Sequence, residues 1–167
     1  MSDLISTPAS PASPANSTVE ADGWFPAIDC NALRARVRLG ENIVPHDRLV
    51  AAIEGAMLTA FRQPALIAWR TLHARAGAED LAAVPDTVTI GGEPRTVVLW
   101  NRIVRYYAAA EIADGHRDLI ATDQQSQRSD ERRLSADDYR RMGHDAVADL
   151  ISIAAEESVP RNSVELL

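Results

Sequence analysis

The chain has 167 residues, enough for one domain, and its 17 basic residues, every one an arginine, face 24 acidic ones for a formal charge of −7. An acidic chain gives up the concentrated positive potential that nonspecific nucleic-acid binding needs, unless one face is strongly basic. The lack of lysine removes Schiff-base and P-loop chemistry, and a lone cysteine, Cys30, removes a disulfide framework and paired-cysteine zinc sites.

No stretch approaches the roughly 18 consecutive apolar residues of a membrane span. The N-terminal residues lack the basic and apolar regions of a secretory signal. Together with 46% apolar and 5% aromatic residues, this predicts a soluble, intracellular, mostly helical protein.

Residues 1–23 differ in composition from the rest. Pro8 to Ala15 repeats Pro-Ala-Ser, and Ser, Thr and Asn surround it. So little apolar surface cannot offset the entropy of ordering the chain, so the segment reads as a flexible or polyproline-like arm. It is either a tail without a task or an arm that orders on a partner. The domain then runs over 24–160, followed by a C-terminal tail, 161–167.

Order is expected from Trp24-Phe25-Pro26, an extended aromatic pair before proline. Asp29 stands as the N-cap of a short helix over residues 32–39, with Leu33 and Val37 on its buried side and Gly40 ending it. A second helix starts at Pro45, with Leu49, Ile53, Met57, Ala60 and Phe61 as its apolar stripe. Pro64 removes a backbone donor and predicts a kink or a restart, after which Ile67, Trp69 and Leu72 are candidates for burial. Residues 86–97 suggest a short hairpin, Val88-Thr89-Ile90 turning at Gly91-Gly92. The third helix, about 95–116, is apolar around most of its circumference, with Arg102 and Arg105 on a narrow polar side. Such a helix is central or is covered by another subunit. After a charged loop over 122–133, Ser135-Ala136-Asp137-Asp138 resembles a capping box with Asp in place of Glu. It opens a fourth helix reaching about Glu157, with Tyr139, Met142, Ala146, Leu150 and Ile153 as its stripe. The predicted fold is all-α: a small four-helix domain with a flexible N-terminal arm and an extended C-terminal tail.

The search for chemistry yields no enzyme motif. His46, His73, His116 and His144 never share the spacing that puts two metal ligands on one helical face, and they read as solvated. The carboxylate pairs Glu79-Asp80, Asp130-Glu131, Asp137-Asp138 and Glu156-Glu157 fall at loops, caps and helix ends, where solvation explains them. Cys30 lies beside a helix N-terminus that could lower a thiol pKa, but no base accompanies it. Catalytic, cofactor and metal residues are therefore expected to be none. The row Arg34, Arg36, Arg38 can form local ion pairs, or meet phosphate or the acids of another subunit. Trp24, Phe25, Trp69, Trp100, Tyr106 and Tyr107, with an apolar C-terminus, are more than one small copy is expected to hide. Assembly is thus the favoured class of function.

The stretch Trp24-Phe25-Pro26-Ala27-Ile28-Asp29, followed by Leu33-Arg34-Ala35-Arg36-Val37-Arg38-Leu39, resembles the opening of the head completion proteins of contractile-tailed temperate phages. Val44-Pro45, Arg48-Leu49, Ala52-Ile53, Gly55 and Met57 continue it. Weaker matches follow at Tyr106 to Ala110, at Pro160-Arg161 and at Val164 to Leu167. The block over 24–57 is the specific part, and the Pro-Ala-Ser arm lies outside the pattern.

The resemblance implies a structural virion protein of the head–tail neck, a portal adaptor assembled in the host cytoplasm. It would form a ring, expected to be dodecameric, under the portal protein. There it helps retain packaged DNA and offers the platform on which tail completion or terminator proteins dock. DNA would pass through the lumen without sequence-specific binding, which suits an acidic chain. A ring uses a different face of each subunit at its two contacts. The residues assigned to protein contacts are Trp24, Phe25, Arg34, Arg36, Arg38, Trp100, Tyr106, Tyr107, Val164, Leu166 and Leu167. The alternative is a small helical nucleic-acid-binding or regulatory protein, which requires a basic face.

Overall fold

The computed structural model describes residues 13–37, 44–120 and 134–153, the last five residues of the middle range by backbone alone. Among them are five α-helices and two antiparallel strand pairs. In chain order these are β1 (Thr18–Val19), β2 (Ile28–Asp29), α1 (Cys30–Arg36), α2 (His46–Phe61), α3 (Pro64–Arg75), a single 3-10 turn at Leu81–Ala83, β3 (Thr89–Ile90), β4 (Glu93–Pro94), α4 (Arg95–Ile120) and α5 (Ala136–Ile151). The molecule is all-α with a short hairpin, as the periodicity predicts. Gly40, the loop over 122–133 and the chain beyond 153 lie outside the described residues.

Local chemistry sets most of the boundaries. The Asp29 carboxylate accepts the Ala32 amide at 2.8 Å and opens α1. Ser135 and Asp138 form the predicted box: each side chain accepts the other's backbone amide, at 3.1 and 3.0 Å. The Asp138 carboxyl is held below its ordinary pKa, chiefly by the Ser135 hydroxyl and amide, with Arg141 adding to the effect. Gly91 and Gly92, at φ 62° and 86°, supply the two left-handed residues of the β3–β4 turn. Pro45 stands at the N-cap position of α2, so the helix starts at His46, one residue later than predicted.

Pro64 produces a restart: α2 ends at Phe61, and Pro64 is the first residue of α3, where a missing N–H costs nothing. The restart also sets the phase of α3. Leu66, Trp69 and His73 form its buried i, i+3, i+7 stripe, whereas Leu72 is 63% exposed and Ile67 only half-buried. The burial expected of Ile67 and Leu72 is thus corrected, and so is the solvated reading of His73.

The long helix α4 is central within one copy. It lies between α2 and α5 and runs antiparallel to both. Arg48 near the start of α2 fills the space beside Gly115, while Phe61 at its end stacks with Trp100. On the other side Arg140 pairs with Asp114, and Gly143 lies against the Tyr107 ring. Trp100, Ile103, Val104 and Ala108 lose all their exposure to these neighbours, which explains the nearly all-round apolarity of the helix.

The N-terminal region is corrected in part. Residues 13–23, assigned by composition to a flexible arm, belong to the fold. Val19 is buried, and β1 pairs with β2, Val19 facing Ile28 and Thr18 facing Asp29. Cys30 N donates to Ser17 O at 2.9 Å, and Asn31 Nδ2 to Pro14 O at 2.9 Å. Buried Ser13 meets His46 at 3.1 Å and the Arg34 guanidinium at 3.3 Å. Hydrogen bonding rather than apolar area holds this strap, and composition does not register that.

The stretch leading into α4 has its own lock. Asp86, with 5% of its side chain exposed, receives both Arg95 Nε (2.8 Å) and Nη2 (2.9 Å), plus the Val88 amide at 3.1 Å. Burial pushes this carboxyl up, but the Arg95 pair and the Val88 and Thr87 amides outweigh it and hold its pKa below the ordinary value. The stabilisation is therefore present above the carboxyl's unfolded pKa and is lost as pH falls through the depressed one. Asp86→Asn is expected to cost about 1–3 kcal/mol in urea unfolding at pH 7, because Arg95 is partly exposed and can rehydrate. The difference from the parent should shrink below pH 4.

Candidate assembly surfaces

Of the residues assigned to protein contacts, Trp24, Phe25, Trp100 and Tyr107 sit inside the subunit's own core, none more than 6% exposed. Trp24 Nε1 donates to Ala78 O at 3.1 Å, and Trp24 O accepts the Leu81 amide at 2.9 Å. Phe25 stacks on Trp100 at 4.3 Å, and Trp100 Nε1 reaches Pro26 O at 2.9 Å. One Asp22 carboxylate oxygen accepts the amides of Trp24 and Phe25 at 3.1 and 3.0 Å, and the other pairs with Arg70 at 2.9 Å. The Trp-Phe-Pro segment is thus a plug that closes one end of the bundle. Side chains already covered by their own chain cannot also cover a neighbour without opening the fold, so the predicted contact role of these four is corrected. Aromatic count measures burial and says nothing of which chain provides it.

Tyr107 also ties α4 and α5 to the turn between α2 and α3. Its hydroxyl accepts from Gln63 Nε2 at 3.1 Å and meets His144 Nδ1 at 3.1 Å, while Gln63 and His144 meet each other at 3.0 Å. Burial pushes the phenol up to about 12, against the Gln63 hydrogen bond.

The plug reaches α3 through Trp24, Trp69 and His73, with Trp69 edge-on to both of the others. His73 Nε2 is buried without a hydrogen-bond partner, and burial lowers the pKa of the ring. With the folded pKa below the ordinary 6.5, the unfolded chain takes up this proton first as pH falls. Thermal midpoints are therefore expected to drop from pH 7 to 5 by more in the parent than in His73→Leu. Parallel profiles for the two would contradict a neutral, desolvated ring.

The other assigned residues lie outward or outside the described range. Arg36 is exposed. Arg34 is half-buried and occupied, donating through Nη1 to Val44 O at 2.6 Å as well as to Ser13. Tyr106 is half-buried on the outer side of α4, with the Arg102 and Arg105 guanidinium carbons 5.4 and 5.0 Å from its ring centre. Burial pushes its hydroxyl up, yet the hydrogen bonds and charges of the two arginines prevail and hold it below the ordinary tyrosine value. Arg38, Val164, Leu166 and Leu167 fall outside the described residues.

Among the described residues the exposed large apolar side chains are Leu58, Leu72, Val88, Ile90 and Leu134, none of which the sequence reading singles out as a surface contact. Leu58 has a sequence signal, because it stands off the 49–53–57–60 stripe of its helix. Leu72 has one once the phase of α3 is counted from Pro64. Among the described residues no cluster of His, Cys, Asp or Glu is arranged to hold a metal ion, and no helix is long and apolar enough to cross a membrane.

Trp24, Phe25, Trp100 and Tyr107 are thus turned inward, while the exposed apolar side chains are spread over α2, α3, the β3 strand with the residue before it, and the approach to α5. Residues 19–166 match the family described as Phage head completion protein (GPL), nearly the whole chain, and the protein belongs to that family. It is thus a phage structural protein of head completion, which works with other head and tail proteins in the virion. No curated protein and no solved structure matches the chain. The family match begins at Val19, inside β1, so most of the Pro-Ala-Ser segment precedes it.

Proposed function

We propose that the protein is the connector that completes a filled phage head: a ring of subunits added under the portal that helps retain DNA and offers the tail its docking platform. The carrying observation is the family match over residues 19–166. A subunit whose core is closed within one copy suits this role, since it can exist alone and add to the portal after packaging. An acidic chain lets DNA pass without the strong phosphate grip that released counterions would drive. The subunit itself works by binding and shape, with no reaction assigned to it.

The direct test is to mix purified full-length protein with portal-containing, DNA-filled heads and image them by negative stain. A ring of added density at the portal vertex, with DNA retained, is expected; heads that stay bare overturn the reading. The C-terminal residues Val164, Leu166 and Leu167 are proposed to make part of this contact. Removing residues 162–167 is expected to leave the helical circular-dichroism signal intact while heads are joined poorly. Head joining at the parental yield would remove the tail from the interface.

A further inference from the structure

The outer face of α4 carries two cations that the fold leaves unneutralised. Among the described residues only Arg70, Arg95, Arg140 and Arg141 pair with a carboxylate, and what sets Arg102 and Arg105 apart from the other arginines is that both lie over the single Tyr106 ring. Stacking on one ring holds both guanidinium groups in place, so part of the entropy of ordering them is already lost before a partner arrives. Tyr and Arg are also the residues that most often dominate the energy of protein contacts.

The same helix carries the opposite charge on its far side. Glu111 follows Arg102 by nine residues, about two and a half turns, and so projects from the opposite face of α4. Its carboxyl lies against Gly55 of α2, where a Cβ would stand 3.4 Å from it, and exposed Glu54 is the preceding residue. Neither glutamate has an ion-pair partner among the described residues. Arg48 lies one turn further along the same α2–α4 groove, beside Gly115, so one copy carries an arginine pair on one side of α4 and, on the other, two carboxylates with a single cation next to them.

We infer that the Arg102–Tyr106–Arg105 face docks on the Glu54–Glu111 face of a second copy, making a head-to-tail contact between neighbouring subunits. A contact between two different faces generates a ring when its rotation closes. This names the charged part of the contact in the proposed ring and rests on that reading. A second copy fits the face better than nucleic acid does: two arginines on a chain of net charge −7 offer a polyphosphate few contacts against general repulsion. The glutamates, in contrast, are present at matched stoichiometry on every subunit.

The test uses the full chain and its charge reversals. Arg102→Glu/Arg105→Glu and Glu54→Arg/Glu111→Arg are studied alone and mixed in equal amounts, by sedimentation velocity at low and moderate salt, with circular dichroism confirming the fold. The parent is expected to self-associate more weakly as salt rises, and each double variant alone should associate about tenfold more weakly or worse. The mixture should recover association, because each variant then meets a complementary neighbour. A parent that stays monomeric at low salt overturns the proposal, as does association that neither reversal changes. A mobility-shift assay with duplex DNA forms the second arm: DNA binding lost on reversing the arginines, with self-association unchanged, would assign the face to phosphate instead. Failure of this contact leaves the connector reading intact, since that reading fails only if the protein does not join filled heads.

Discussion

Trp100→Ala is expected to remove about 3–5 kcal/mol of stability, the usual cost of emptying a large buried aromatic site. Trp100 has no exposed surface, stacks against both Phe25 and Phe61 at 4.3 and 5.8 Å in a three-ring cluster, and gives its indole N–H to Pro26 O. Alanine forfeits the packing and leaves the partly buried Pro26 carbonyl without its donor at the same time. Since small domains hold only about 5–15 kcal/mol in all, the variant should unfold at a much lower urea midpoint and with weaker cooperativity. Trp100→Phe separates the two effects. It keeps a ring against Phe25 but not the hydrogen bond, and should cost about 1–3 kcal/mol. The same comparison tests where the aromatic residues act. If Trp100 served a neighbouring subunit instead, alanine would leave the isolated chain as stable as the parent and would impair only assembly.

What the sequence makes legible here is what is decided over a few residues. The Asp29 cap, the Ser135–Asp138 box and the Gly91-Gly92 turn each depend on groups within four positions of one another, and each forms as read. The apolar stripe of α2 is equally clear, with Leu49, Ile53, Met57 and Ala60 all buried. The misreadings share a different cause. Whether Trp24 and Phe25 face inward is settled by Ala78, Leu81 and Trp100, which lie 54 or more positions away. The strap over residues 13–19 is held by Arg34 and His46, polar partners that a composition count treats as solvated. For α3 the error is one of phase: counting from Pro64 gives the 66–69–73 stripe, and continuing from α2 does not. The candidate contact face around Tyr106 was half legible. Arg102 and Arg105 can be read as a polar side of α4, but their lack of carboxylate partners and the position of Glu111 against Gly55 require the packed helices.

Close packing of α4 on α5 gives the second large effect. In an exposed helix interior, glycine to alanine gains roughly 1 kcal/mol from backbone propensity alone. Gly143 lies within α5 and should reverse that sign. A Cβ there would stand 2.5, 2.7 and 2.9 Å from Cε1, Cδ1 and Cζ of Tyr107. This ring is 1% exposed and pinned at its hydroxyl by Gln63 and His144, so it has no room to withdraw. Overpacking of this kind costs about 1–3 kcal/mol, which makes Gly143→Ala destabilising overall and Gly143→Val more so. Gly55→Ala on α2 is the control. Its Cβ meets only the side chain of exposed Glu111, at 3.4 Å or more, and should stabilise by up to about 1 kcal/mol. At Gly115 the obstacle is the flexible end of Arg48, which can swing aside, so alanine there should be close to neutral. Shortening Tyr107 to leucine should relieve the clash, so that Gly143→Ala costs less in that background than in the parent, a coupling that a double-mutant cycle reads directly. If Gly143→Ala raised the urea midpoint as Gly55→Ala does, α5 could not lie as close to α4 as the Tyr107 contact requires. The hydrogen-bonded junction of Gln63, Tyr107 and His144 would then lose its geometric basis.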